Sequence, residues 1–247
     1  MELLLGDFHV HSTFSDDAVS TVGENIAAAS ARGLQTLRLI DHVRASTDWV
    51  PSFVAAVAAE PFPEGLEILT GVETKILDGR GSLDLPADLI VGAGGVDAIV
   101  LADHQFPGPD GPWSPTETRE RIAAGLSPED ALDLLINALV AAMRAVAFDW
   151  FPGAGQLAHC FSILPKVGLS ESQLSEEQLE RWATAAAETG TLIEINEKWS
   201  CPEPRSIAAA RAAGAIVVAA SDAHTAGDVG RYEGVLRIDT ASTKGLT

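Results

Sequence analysis

Two histidines separated by one residue, His9 and His11, follow the apolar run Leu3-Leu4-Leu5 and lead into Ser12-Thr13-Phe14-Ser15-Asp16-Asp17. On an extended strand alternate side chains share a face, so both imidazoles reach one point in space, as ligands of one metal ion must. The chain has six histidines in 247 residues, and the other four sit in matching contexts: LRLIDH ends at His42, AIVLADH at His104, GQLAH at His159 and IVVAASDAH at His224. Each run reads as a buried parallel strand that stops at a histidine. Strand C-termini gathered on one rim are how a parallel barrel builds an active site.

Three carboxylates share those strand-end positions: Asp16 beyond the first strand, Glu73 after ILTGV, and Asp222. Six imidazoles and three carboxylates exceed what one zinc or manganese ion takes from a protein, which implies two or three ions. Glu73 is the candidate bridge, because the two oxygens of a carboxylate can bind different ions. Asp41, Asp103 and Asn196 adjoin the strand ends and are candidates for orienting the neighbouring imidazoles.

The elements that position these donors alternate along the chain. A helix is expected over Ser20 to Arg32, capped by Ser20 or Thr21 and stopped by Gly33, then a strand over Gln35 to Ile40. A poorer helix, interrupted by Pro51, is expected over Asp48 to Glu60, and a strand over Leu66 to Val72. Residues 78–95 read as loop with an edge strand at Asp88 to Val91, and Asp97 to Ala102 as the next strand. The prolines and glycines of QFPGPDGPWSP predict an irregular loop at the rim. Ser127 to Ala147, Ser175 to Glu188 and Pro204 to Ala213 read as helices; Gly155 to Ala158, Thr191 to Ile195 and Ile216 to Ala220 read as strands. The alternation predicts an α/β barrel of right-handed parallel βα units in a single domain spanning 1–247.

Bulk composition narrows the partners. With 35 acidic against 16 basic residues the net charge is −19, which disfavours a grip on extended nucleic acid. No apolar segment is long enough to span a membrane, and the start of the chain lacks a basic leader, so a cytoplasmic location is expected. Cys160 and Cys201 are too few for a disulfide framework and read as buried free thiols.

Taken together, DFHVHSTFSDD, LRLIDH, GVETKI, LADHQF, LAHCF, EINEK and SDAHTAGDVGRYEG resemble the polymerase and histidinol phosphatase (PHP) family of metal-dependent hydrolases over nearly the full length. The resemblance implies a distorted TIM-like (βα)7 barrel with a trinuclear site of zinc, manganese or iron at its C-terminal rim. By that pattern His9, His11, Glu73 and Asp222 hold one ion, Glu73, His104 and His159 a second, and Asp16, His42 and His224 a third. Asp17 follows Asp16 where relatives often carry Gly, and it can substitute as the ligand. The residue after His159 is Cys160, where many members have Pro or Leu.

The implied activity is hydrolysis of a small organic phosphate, with histidinol phosphate as one substrate. Glu73, Asp222 and His224, with water held by the ions, form the catalytic set, and no Ser or Cys nucleophile is required. Lys166 and Lys198, on strand-end loops, are the candidate phosphate contacts, ahead of Arg44, Lys75, Arg205 and Arg231. Three other readings stay open: a nucleotide phosphatase of the same family, an amidohydrolase-like C–N hydrolase with Lys75 as a modified bridging lysine, and a non-catalytic metal-binding regulatory module.

Overall fold

The computed structural model describes residues 2–147 and 153–244. After a 3-10 turn at Glu2–Leu5 the chain runs through β1 (Gly6–Val10), α1 (Val22–Ala31), β2 (Thr36–His42), α2 (Val50–Ala59), β3 (Glu67–Lys75) and β4 (Ala98–Ala102). A short hairpin, β5 (Phe106–Gly108) and β6 (Gly111–Trp113), precedes α3 (Pro115–Ala123) and α4 (Pro128–Ala145). There follow β7 (Gly155–Ala158), α5 (Leu164–Val167), a 3-10 turn at Glu171–Gln173, α6 (Glu176–Thr189), β8 (Leu192–Asn196), α7 (Pro204–Ala212), β9 (Val217–Ala220) and α8 (Glu233–Lys244). Among the described residues no helix is long and apolar enough to cross a membrane.

Seven strands form one parallel sheet in the order β1-β2-β3-β4-β7-β8-β9. The sheet nearly closes on itself: Val10 bridges Ala223, and the His11 amide donates to the Ala223 carbonyl at 2.9 Å. The result is the expected distorted barrel with helices outside. Its irregularity lies between β3 and β4, where residues 76–97 cross without a helix among the described residues. The edge strand expected at Asp88 to Val91 is absent; a single bridge joins Val91 to Val96.

Alternation along the strands separates two kinds of core. Leu37, Leu39, Ile99, Leu101, Leu157, Ile193 and Ile195 face outward into the main apolar core beneath the helices. The inward positions of neighbouring strands give a second, small cluster of Ile40, Val100, Ala102 and Ala158 inside the barrel. Below it Arg38 is buried and donates to Gln156 Oε1 at 2.7 Å. Above it the inward positions become donors: His42 follows Ile40, and Glu73 follows Gly71.

Gly71 shows how tight this interior is. A Cβ there would lie 3.2 Å from Ile40 Cγ1 and 3.4 Å from the Ala98 carbonyl oxygen. Gly71→Val is therefore expected to cost about 1–3 kcal/mol. Thermal unfolding should show this as a midpoint lowered by several degrees, and an unchanged midpoint would mean the interior has slack.

Helix signals explain most boundaries, decide between the two caps expected for α1 and correct the reading of Pro51. Ser127 caps α4 by accepting from the Asp130 amide, and Leu132, Leu135, Ile136, Leu139 and Met143 form its buried stripe. Thr21, not Ser20, caps α1, in a capping box with Glu24. Pro51 opens α2 in its first turn instead of interrupting it, because the missing N–H is not needed there. The segment expected to be irregular holds β5 and β6, with Pro107 opposite Pro112. A two-stranded ribbon is all edge, so prolines whose missing N–H would face away from the partner do not break it.

Candidate metal centre

Every strand-end histidine of the barrel arrives at the same rim, and Glu73 stands at their centre. Its Oε1 lies 2.8 Å from His104 Nε2 and 3.0 Å from His159 Nε2. Its Oε2 lies 3.1 Å from His42 Nδ1, 3.4 Å from His9 Nε2 and 3.5 Å from His11 Nε2. Asp222 Oδ1 lies 3.5 Å from His11 Nε2 and 3.4 Å from His224 Nδ1. Three overlapping groups have ligand atoms mutually within 4.8 Å: His9, His11 and Glu73; His42, Glu73 and His104; and His11, His42 and His224.

Of the two adjacent aspartates it is Asp17 that turns inward, with Oδ2 3.1 Å from His224 Nε2 and Oδ1 3.6 Å from His42 Nε2. Asp16 lines a side pocket of about 200 Å³ beside Arg44 and Lys75 and meets neither imidazole. The place expected for Asp16 is thus taken by its neighbour. Residues 13–17 form successive turns, where no strand or helix period tells one side chain from the next.

The imidazoles are oriented from behind. The fully buried Glu194 accepts from Gln156 Nε2 at 2.7 Å, from the His159 amide at 2.6 Å and from Asn196 Nδ2 at 2.8 Å. It also takes the Nδ1 proton of His9 at 3.0 Å, which turns His9 Nε2 toward the centre. Sequence reasoning passed over Glu194, although alternation puts it on the inward face with Asn196. Ser15 gives its hydroxyl proton to Asp41 at 2.6 Å, so its oxygen accepts from His11 Nδ1 at 3.3 Å. Asp41 thereby acts on His11 through Ser15 and touches no ring. Asp103 accepts from Ser162 at 3.0 Å, and Ser162 Oγ faces His159 Nδ1 at 3.2 Å. Asn196 contacts Glu194 and Asp222 and no imidazole.

These contacts make a specific test of whether the residues suit metal ions. With both Nδ1 atoms committed to acceptors, the Nε2 atoms of His9 and His11 face each other at 2.9 Å. Two lone pairs at that distance repel unless a positive charge lies between or beside them. Glu73 Oε2, buried at the same spot, receives no hydrogen bond. A divalent cation meets both demands, and the N and O donors suit zinc, manganese or iron.

Without a metal, protons supply that charge. Burial opposes charge on His9, yet Glu194 and Glu73 hold its pKa well above the ordinary value, while burial drives His11 down to about 3. Burial likewise opposes charge on His159, but Asp103 and Glu73 push it up to about 10. The surrounding imidazoles keep Glu73 and Asp222 well below the usual carboxylate range despite burial, which would raise both.

A pH dependence follows with a definite sign. A raised histidine pKa stabilises the metal-free fold fully below about 6.5, and the contribution is lost as pH rises toward about 10. Cations must displace those protons, so their affinity should climb over the same interval. Adding Mn²⁺ to chelator-treated protein in weak buffer should release protons, and loaded protein should keep its melting temperature at pH 9 while metal-free protein loses it. A metal affinity independent of pH would contradict the arrangement.

Of the cations, Lys166 and Lys198 line the central chamber of about 220 Å³ together with Asp17, His42, Glu73, His104, His159, Asp222 and His224. Lys198 Nζ lies 3.4 Å from Asp222 Oδ1, and Lys166 Nζ sits 4.1 Å above the ring of Trp199. Arg44 and Lys75 line the side pocket, Arg231 an outer groove of about 940 Å³, and Arg205 pairs with Glu176. Glu73, not Lys75, holds the central position. Two of the candidate ligand residues lie on left-handed backbone, His159 at φ 31° and Asp222 at φ 54°, as is common where strand ends are bent to serve a site.

Comparison with known proteins agrees with this geometry. The profile of the PHP domain matches residues 7–198. A "probable phosphatase" of a Thermoanaerobacter species is 27% identical over 250 residues, covering 96% of this chain and 86% of the relative. Another, from Caldanaerobacter subterraneus subsp. tengcongensis, is 27% identical over 246 residues, covering 95% and 82%. Among solved structures, histidinol phosphate phosphatase from Lactococcus lactis, in complex with zinc, L-histidinol and phosphate, superposes with a TM-score of 0.60. It is 16% identical, covering 97% of this chain and 92% of that one, a likeness that concerns the fold.

Proposed function

Because the chain belongs to the PHP domain family, we propose that it is a metal-dependent phosphomonoesterase acting on a small organic phosphate. The observation that carries this reading is the meeting of His9, His11, His42, His104 and His159 on the two oxygens of Glu73. Relatives called probable phosphatases, and a fold neighbour that binds zinc, L-histidinol and phosphate, support the same reaction class.

In this proposal His9, His11, Glu73 and Asp222 would hold one ion, Glu73, His104 and His159 a second, and Asp17, His42 and His224 a third, with Asp17 in the place expected for Asp16. Such ions polarise a phosphoryl oxygen, lower the pKa of a water and offset charge on the leaving oxygen. The protein contributes orientation and charge. Glu194, Ser15 and Ser162 hold the rings of His9, His11 and His159 so that Nε2 faces Glu73. Lys166 and Lys198 bring ammonium groups to a chamber whose volume suits a phosphoryl group. Asp17, Lys198, Asp222 and His224 line both this chamber and the outer groove, so the organic part of the ester extends past Lys198 toward Arg231 and Tyr232.

Histidinol phosphate is the first ester to try, on the strength of the Lactococcus neighbour. A cytoplasmic location remains part of the proposal and accords with the two buried free thiols. The test is a panel of metabolite phosphates, mononucleotides included, offered to protein reconstituted with manganese, zinc or iron. Released phosphate from a subset of esters is the expected result. Metal binding with no turnover of any ester would leave a non-catalytic module as the better account.

A further inference from the structure

Trp199 stands 40% exposed at the mouth of the central chamber, on the turn that follows β8. Neither the strand-end pattern nor the donor set calls for it. Its backbone is fixed, since its amide donates to Asn196 Oδ1 at 2.9 Å. Two features of the ring then point into the site.

The first is the indole N–H, which donates to Asp222 Oδ2 at 3.0 Å, with Asn196 Nδ2 on the same oxygen at 3.4 Å. Oδ1 is left toward His11, His224 and Lys198. A carboxylate can rotate about its last bond, and Asp222 sits on left-handed backbone at the end of a strand, so the side-chain bonds decide which oxygen faces the donors. The second is the ring face, which carries the Lys166 ammonium at 4.1 Å. Lys166 forms no ion pair with a carboxylate among the described residues, so the π face holds the charge in place without neutralising it. A lysine seated this way keeps its full charge for an anion in the chamber.

We propose that Trp199 is a positioning residue with two separable duties: its N–H sets the orientation of Asp222 toward the metal ions, and its face holds Lys166 over the phosphate. The second duty rests on the phosphatase reading, whereas the first needs only metal binding.

Three variants separate the duties. Trp199→Phe removes the N–H and keeps an aromatic face; loss of a contact behind a metal ligand typically weakens metal affinity about 10-fold or more. The Kd for Mn²⁺ should rise by that factor and kcat should fall, with KM close to that of the wild type. Lys166→Met should leave the Mn²⁺ Kd unchanged and raise KM about 10-fold, as loss of a charge-assisted hydrogen bond does. Trp199→Leu should show both effects, and adding Lys166→Met to it should raise KM less than 3-fold further, because the lysine has already lost its seat. Wild-type Mn²⁺ affinity and kcat in Trp199→Phe would overturn the first duty, and a full, undiminished effect of Lys166→Met in the Trp199→Leu background would overturn the second.

The same variants are titrated calorimetrically with Mn²⁺ and, when loaded, with inorganic phosphate. Should the wild-type protein hydrolyse no ester, the phosphatase reading fails while these titrations still decide the proposal. Weakened Mn²⁺ binding in Trp199→Phe together with weakened phosphate binding in Lys166→Met and Trp199→Leu supports it, and unchanged constants reject it.

Discussion

Replacing Glu73 with alanine is expected to remove most of the bound metal and to lower turnover by about 10³-fold or more. Several kcal/mol of transition-state stabilisation would be lost with the ions, at about 1.4 kcal/mol per factor of ten. The effect is large because five imidazole nitrogens lie within 3.5 Å of this one carboxylate, so its loss unbalances every group around it. His9→Ala should act in the same direction. Metal content by elemental analysis and phosphate release by a colorimetric assay check both variants. Retention of full turnover in Glu73→Ala would place the chemistry elsewhere in the molecule.

The second large effect belongs to Glu194, a residue that stands behind the chamber and is not part of its lining. Its two oxygens collect donors from His9, Gln156, the His159 backbone and Asn196. Glu194→Gln keeps the shape but turns one oxygen into a donor, so an N–H must oppose either the His9 Nδ1 proton or one of the amide donors. Metal affinity and turnover should drop about 10- to 100-fold, the usual consequence of disturbing a group behind a ligand. A lower melting temperature should accompany them, since a buried donor left without its acceptor costs about 1–3 kcal/mol. If Glu194→Gln bound metal with wild-type affinity, the tautomer of His9 would be set by something other than this carboxylate.

The contrast between these two glutamates shows what a sequence makes visible. Glu73 is legible because the apolar run ILTGV stops at it, although β3 itself continues to Lys75, and a carboxylate closing such a run stands out against what precedes it. Glu194 sits inside LIEIN, where it looks like an interruption of a strand; only the inward alternation it shares with Asn196 reveals where it points. Asp17 and Asp16 could not be separated because both lie in turns, and which one faces His224 depends on how Asp41 gathers Ser12 and Ser15. Trp199 was hidden for the same reason, its position being set by a hydrogen bond to Asn196.

Much the same physics governed the fold. Strand ends were readable since parallel strands buried on both faces are continuous apolar runs. Helix α3 went unread although Ser114, Pro115 and Glu117 repeat the opening of α4, because the polar stretch after it has no broad apolar stripe and buries only Thr118. Helix α8 was missed because its buried face, Val235, Ile238 and Ser242, keeps the helical spacing but carries only two apolar residues, while Leu236 faces solvent.

The polar pair below the barrel's apolar layer bears on how molecules move through this protein. Arg38 grips Gln156, which in turn holds Glu194, and Glu194 holds His9, so a continuous chain of hydrogen bonds fills the axis from the lower end to the donors. No ligand passes along an axis plugged in that way. The barrel is a cup, and whatever arrives at the rim must depart by the same opening. For a phosphatase this means that liberated phosphate blocks the next ester until it has gone, so inorganic phosphate should compete directly with substrate.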